Sequence, residues 1–89
     1  MLTHHFIVKG RVQGVGYRFF TYHIANEYNI KGWVKNLWNG DVEILAQGET
    51  RHIEVFKKLL EAGPPSSKVK NIEEDVFDGK KYDDFDIEY

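Results

Sequence analysis

The chain has no cysteine among its 89 residues. Neither disulfide bridges nor a thiolate zinc site can hold it together. Methionine is almost absent too, with a single residue, a composition compatible with a thermophilic source. Positive charge is not in surplus either. Twelve Lys and Arg stand against 14 Asp and Glu, a formal net charge of −2. A general nucleic-acid binder needs a basic surface to neutralise phosphates, so that class is set aside. No apolar run approaches the roughly 20 residues of a membrane span. The opening Met1-Leu2-Thr3-His4-His5-Phe6 lacks the basic stretch and apolar segment of a signal peptide. These absences lead to the expectation of a cytoplasmic protein with no nucleic-acid and no membrane partner. What is present suits a folded globule, with 42% hydrophobic and 15% aromatic residues. The length fits one domain over 1–89 with a modest core.

The most informative stretch is Val8-Lys9-Gly10-Arg11-Val12-Gln13-Gly14-Val15-Gly16-Tyr17-Arg18. It begins as a β-branched strand, passes two closely spaced glycines and delivers an arginine where a helical pattern starts. Amide groups freed by such a turn, together with a helix N-terminus, favour an anion. An arginine at the rim adds a planar, permanent cation. The glycines could also serve only a tight turn, and Arg18 could be a solvated charge. A Walker A loop is excluded because no Gly-Lys-Ser/Thr follows, and the dinucleotide fingerprint lacks its third glycine. The residues spell an oxyanion such as inorganic phosphate, without magnesium or nucleotide.

The rest of the chain reads as alternating elements. Phe6 to Val12 makes a first strand with Phe6, Val8, Gly10 and Val12 on one face. A helix over Arg18 to Tyr28 follows, with Phe20, Ile24 or Ala25, and Tyr28 buried, and Asn29 closing it in the left-handed conformation. Lys31 to Leu37 is a second strand, Asn39-Gly40 a hairpin signal, and Asp41 to Gln47 a third strand. Thr50 to Ala62 is helical, with Ile53, Phe56, Leu59 and Leu60 inward and Gly63-Pro64-Pro65 as the stop. Val69 to Phe77 reads as a polar edge strand, Asp78 to Asp84 as a solvated acidic loop, and Phe85 to Tyr89 as a short last strand. The order β-α-β-β-α-β plus a terminal strand predicts an α+β, ferredoxin-like sandwich, its two helices on one face of an antiparallel sheet. Right-handed crossovers then make the first and second strands parallel, with the third between them. Arg18 and Asn36 come to the same sheet edge, their backbones about two strand spacings, or roughly 10 Å, apart.

With these residues in place, the chain resembles the acylphosphatases. The family motif Gly-x-Val-Gln-Gly-Val-x-Phe-Arg is matched by Gly10 to Arg18, except that Tyr17 replaces phenylalanine. The second motif is matched by Gly32-Trp33-Val34-Lys35-Asn36, Gly40-Asp41-Val42 and Gly48, and the closing Phe85 to Tyr89 is also familial. The resemblance implies a monomeric, metal-free and cofactor-free hydrolase of small acyl phosphates such as acetyl phosphate, carbamoyl phosphate or 1,3-bisphosphoglycerate. It assigns phosphoryl binding to Arg18 and the loop of Gly14, Val15, Gly16 and Tyr17, and orientation of the attacking water to Asn36.

The residue types are consistent with that substrate class. Arg18 does not titrate near neutrality and Asn36 does not titrate at all. The leaving group must therefore depart unprotonated, which a carboxylate can do and an alkoxide cannot. Such a site acts by positioning and charge, as a loose phosphoryl-transfer transition state requires. Two other readings remain open at this point. A similar module forms the N-terminal part of a hydrogenase-maturation carbamoyltransferase, although a chain ending at Tyr89 after a complete fold points to a free-standing enzyme. A non-catalytic phosphate binder is the other, although it would have no use for Asn36. His4, His5, His23 and His52 are read as ordinary surface or partly buried residues, Trp33 as core and Trp38 as half exposed.

Overall fold

The computed structural model describes residues Met1–Tyr89. Five strands and two helices follow in the order β1 (Leu2–Arg11), α1 (Tyr17–Glu27), β2 (Lys31–Asn36), β3 (Val42–Gln47), α2 (Thr50–Ala62), β4 (Lys68–Asp78) and β5 (Phe85–Glu88). They form one sheet of strand order β4-β1-β3-β2-β5. β3 lies antiparallel to both β1 and β2, so those two run parallel with β3 between them, as the crossover rule requires. β4 pairs antiparallel with β1, while β5 joins β2 in parallel, which makes the sheet mixed.

β1 starts four residues earlier than its apolar alternation suggests, because β4 pairs with it over its whole length from Leu2 to Arg11. Its inward face carries Phe6 and Val8, and Val12 follows just past its end, all three fully buried. Opposite them β3 contributes Val42, Ile44 and Ala46, and the helices bring Ile24, Ala25, Ile53, Phe56 and Leu60 into the same cluster. α1 begins at Tyr17, one residue before the expected start, and this turns its buried stripe. Tyr17, Thr21, Ile24 and Ala25 point inward, whereas Phe20 and Tyr28 are only half-buried against the core. Thr21 tolerates burial because its hydroxyl donates to the Tyr17 carbonyl at 2.9 Å. Asn29 ends the helix in the left-handed conformation at φ 55°.

Three further expectations need correction. Trp33 is not in the core: it sits half-buried on the sheet face opposite the helices, its indole N–H donating to the Tyr82 hydroxyl at 3.3 Å. Trp38 is fully exposed. The acidic loop is held rather than freely solvated. The Gln47 amide donates to the Lys80 carbonyl at 2.6 Å and accepts from the Tyr82 N–H at 3.0 Å.

Tyr17 is the single departure from the first motif, and its hydroxyl has a structural role. It donates to the Leu60 carbonyl at 2.6 Å within the core. Residue 64, which would supply that carbonyl's helical partner, is a proline without an N–H. The first turn of α1 is thereby bonded to the last turn of α2. Burial pushes the phenol well above its ordinary range, so it remains a donor. Tyr17→Phe should leave the carbonyl unpaired and cost about 1–3 kcal/mol in chemical denaturation; unchanged stability would refute the role.

His5 stands on the open face of the sheet between two carboxylates, with Nδ1 2.9 Å from Asp75 and Nε2 2.7 Å from Glu43. A neutral imidazole carries one N–H, so only the imidazolium donates to both. Burial lowers its pKa, but the two hydrogen bonds and the carboxylate charges outweigh this and raise it above the ordinary 6.5. A raised folded pKa means the stabilisation is complete below that value and is lost as pH climbs through the folded pKa. The melting temperature of the wild type should therefore fall above about pH 6.5 relative to His5→Gln. Parallel pH profiles would show that the pair of bonds contributes nothing.

Candidate active site

The loop between β1 and α1 turns on Gly14 and Gly16, at φ 73° and 77°. A Cβ at either position would meet no atom within 4 Å, so the requirement for glycine is conformational rather than steric. Gly16 is also the N-cap of α1. No side chain caps that end, and no acidic residue occupies the first turn. The first amides of an 11-residue helix are therefore left without side-chain acceptors at the positive end of its dipole.

These amides border a cleft of about 180 Å³ lined by Val12, Gly14, Gly16, Tyr17, Arg18, Phe19, Asn36, Ile87 and Tyr89. The volume lies below the usual range of drug-sized pockets and suits a small molecule. Arg18 and Asn36, expected to share a ligand, line the same cleft. Of the expected loop residues, Gly14, Gly16 and Tyr17 border it directly. The Val15 side chain turns inward onto the core. The Tyr17 ring is likewise buried, so what either residue offers a ligand is its backbone.

Asn36 ends β2, paired with Val42. Its side-chain Oδ1 is buried without any hydrogen-bond partner, and it is the one such side-chain atom in the protein. Burying an unpaired acceptor costs about 1–3 kcal/mol, so the position calls for a donor from outside the chain. Arg18 lies on the opposite, helical wall. Its Nη1 donates to the Glu88 carbonyl at 3.3 Å, and its guanidinium carbon lies 4.8 Å from the centre of the Tyr89 ring.

Two features of this arrangement were not read from the sequence. The first is Gln13, whose amide donates to the carbonyls of Leu37 at 2.7 Å and Asp41 at 2.9 Å. The same two residues close the β2–β3 hairpin, through the Leu37 N–H and Asp41 carbonyl at 2.8 Å. The turn hydrogen bond runs from Gly40 to Leu37, so Trp38 and Asn39 are its central residues and Gly40 is the left-handed residue that follows. Gln13 thus fixes the glycine loop to the hairpin that carries Asn36. A glutamine directly before the first loop glycine was the available signal. The second is the support of Arg18 by Glu88 and Tyr89. It follows from the parallel register of β5, which sets Glu88 beside Lys35, one residue before Asn36, and no local pattern encodes it.

The histidines stay outside this cleft. His4 and His5 are engaged with Glu74, Glu43 and Asp75 across the sheet, and His23 packs on Phe19 with ring centres 4.6 Å apart.

The acylphosphatase family model matches residues 4–87. An acylphosphatase of Actinobacillus succinogenes is 44% identical over 89 residues, covering 99% of each chain. The crystal structure of acylphosphatase from Bacillus subtilis superposes with a TM-score of 0.95 at 40% identity, covering both chains completely. Full-length HypF, in a phosphate- and nucleotide-bound form, also aligns with all of this chain at a TM-score of 0.85 and 34% identity, over 12% of its own length. With both motifs converging on one cleft and the likeness running end to end, the chain belongs to the acylphosphatase family.

Proposed function

We propose that the cleft hydrolyses small acyl phosphates to a carboxylate and inorganic phosphate, without a metal ion. The observation that carries this reading is a complementary deficit in one cleft. Uncapped helix amides and Arg18 lack an anion, and facing them the buried Asn36 Oδ1 lacks a donor. A phosphoryl group and a water molecule supply the two missing partners.

In this reading the phosphoryl oxygens rest on the amides of the Gly14–Arg18 loop and on the Arg18 guanidinium, which spreads their charge in the loose transition state. Asn36 Oδ1 accepts a hydrogen bond from water and directs its oxygen at phosphorus. The water–phosphorus bond forms while the phosphorus–acyl oxygen bond breaks, and the electron pair stays on the departing carboxylate. The water's protons pass to phosphate oxygens and solvent. The cleft lining contains no Asp, Glu or His. No side chain there is suited to protonate a leaving group near neutral pH, and a carboxylate needs no proton to leave. Phosphate monoesters, whose alkoxide does need one, should be poor substrates. The small acylphosphatases, at 40–44% identity over essentially their whole length, are a better guide to the activity of this domain than HypF, at 34% identity over 12% of its length.

The direct test is hydrolysis of acetyl phosphate and p-nitrophenyl phosphate with and without EDTA. Turnover of acetyl phosphate alone, indifferent to EDTA, is the expected result. Arg18→Ala should lower kcat/KM about 10²–10³-fold, as removal of one preorganised donor does. Asn36→Ala should act mainly on kcat, because it orients water rather than holding phosphate. A rise in KM alone for Asn36→Ala would assign that residue a different role.

A further inference from the structure

Outside the cleft, one place in the fold gathers charge of a single sign. Where β1 ends and β4 begins, an open hollow of about 550 Å³ is lined by Lys9, Gly10, Arg11, Asp41, Lys68 and Lys70. Four cations there face one carboxylate. That carboxylate is already engaged, since Asp41 accepts from Lys9 at 2.9 Å and from the Asn39 amide at 3.2 Å. None of the protein's ion pairs includes Arg11, Lys68 or Lys70. All three are exposed.

The backbone brings these cations together. Arg11 stands directly opposite Lys68 in the β1–β4 ladder, a like-charge pairing that costs stability. The register then slips between Lys9 and Gly10. Gly10 faces Val69 and Lys9 faces Asn71, which leaves Lys70 as the extra residue of a bulge. Gly10 permits this close approach at φ 130°, because a Cβ there would collide with the Lys68 carbonyl and the Lys70 amide. Elsewhere the sheet sets opposite charges together, as in Lys9 with Asp41 and His5 with Glu43 and Asp75. Arg11, Lys68 and Lys70 are left to find their countercharge outside the chain.

We propose that this hollow is a second anion site, separate from the cleft, that binds a short inorganic phosphate chain such as diphosphate or triphosphate. Its cations lie about 5 to 7 Å apart along and across the strands, a spacing that suits several linked charges better than one. Guanidinium and ammonium groups both serve phosphate oxygens. No apolar or aromatic residue lines the hollow, so nothing in it holds a nucleobase. The positive surface is also too short for a nucleic acid, because Glu73, Glu74 and Asp75 follow on the same strand. The site is independent of the hydrolytic reading and stands or falls on binding alone.

The test titrates sodium tripolyphosphate at low ionic strength into isotope-labelled protein and reads the backbone amide shifts. The wild type and Arg18→Ala should both shift at Gly10, Arg11, Lys68, Val69 and Lys70. A double variant, Arg11→Gln with Lys68→Gln, should bind there at least about tenfold more weakly, as loss of two charge-assisted contacts requires. Inorganic phosphate should also bind there more weakly than tripolyphosphate, and ATP no more tightly. Without ligand the double variant should melt no lower than the wild type, because a like-charge pair is gone. That separates loss of the site from loss of the fold. Shifts confined to the Gly14–Arg18 loop, equal affinity in the double variant or equal affinity for inorganic phosphate would each overturn the proposal. Tighter binding of ATP would overturn it in favour of a nucleotide. A lower melting temperature in the double variant would assign these cations to the sheet and overturn it as well.

Discussion

The Gln13 side chain sets the geometry on which the cleft depends. The loop that presents amides and the strand that presents Asn36 belong to elements separated by β3, and neither touches the other through regular pairing. One primary amide closes that gap. It spends both of its N–H groups on the two carbonyls that close the β2–β3 hairpin. Because those carbonyls also bracket the hairpin, the loop is fixed to a rigid turn rather than to a mobile tip. Positioning is worth most where the site has no acid or base to offer, since orientation and charge must then supply the whole effect. The remaining ties follow the same logic. Tyr17 fixes the start of α1 to the end of α2, and Glu88 with Tyr89 fixes the head of Arg18.

The sequence made the fold legible wherever periodicity and turn chemistry agree. Val42, Ile44 and Ala46 alternate cleanly, Asn29 and Gly63 mark helix ends, and the crossover rule placed β3 between two parallel strands. At the candidate site, the strand order made legible that Arg18 and Asn36 come to one cleft. Errors arose where long-range pairing decides. β1 reaches back to Leu2 only because β4 is long enough to pair with it. A helix starting at Arg18 offers Phe20, Ile24 and Tyr28 as its stripe, whereas the start at Tyr17 buries Tyr17, Thr21, Ile24 and Ala25. Trp33 belongs outside the core, because strand parity puts it on the face opposite the buried Val34, where its indole N–H meets the Tyr82 hydroxyl. Such contacts join residues from 43 positions apart, as in Tyr17 with Leu60, to 76, as in Leu2 with Asp78, and leave no local trace.

The two faces of the sheet carry different chemistry as a result. The inner one is built at its centre from aliphatic residues with Phe6 and Phe85, covered by Phe56 of α2, and carries His4 and Glu74 toward one end, where Glu74 also accepts from Lys57 of α2. The outer one holds ion pairs and hydrogen bonds that run across strands, such as Lys9 with Asp41 at 2.9 Å and His5 between Glu43 and Asp75. Pairs of this exposed kind add little singly. His5 is the exception in kind, because its two bonds coexist only in one protonation state and so tie sheet stability to pH.

The long outer strand also governs how copies of the chain meet. β4 spans 11 residues at the edge of the sheet and presents unpaired backbone groups along its free side. A flat apolar strand of that length would invite edge-to-edge pairing and the growth of aggregates. This one reads Lys-Val-Lys-Asn-Ile-Glu-Glu-Asp-Val-Phe-Asp, with charge at six of its 11 positions and both signs grouped by end. Antiparallel pairing of two such edges would set lysines against acids, but only by moving those charges out of water, and parallel pairing would stack like on like. At the other edge β5 offers just four residues. Neither edge therefore offers a long, flat apolar strand for a second copy to extend.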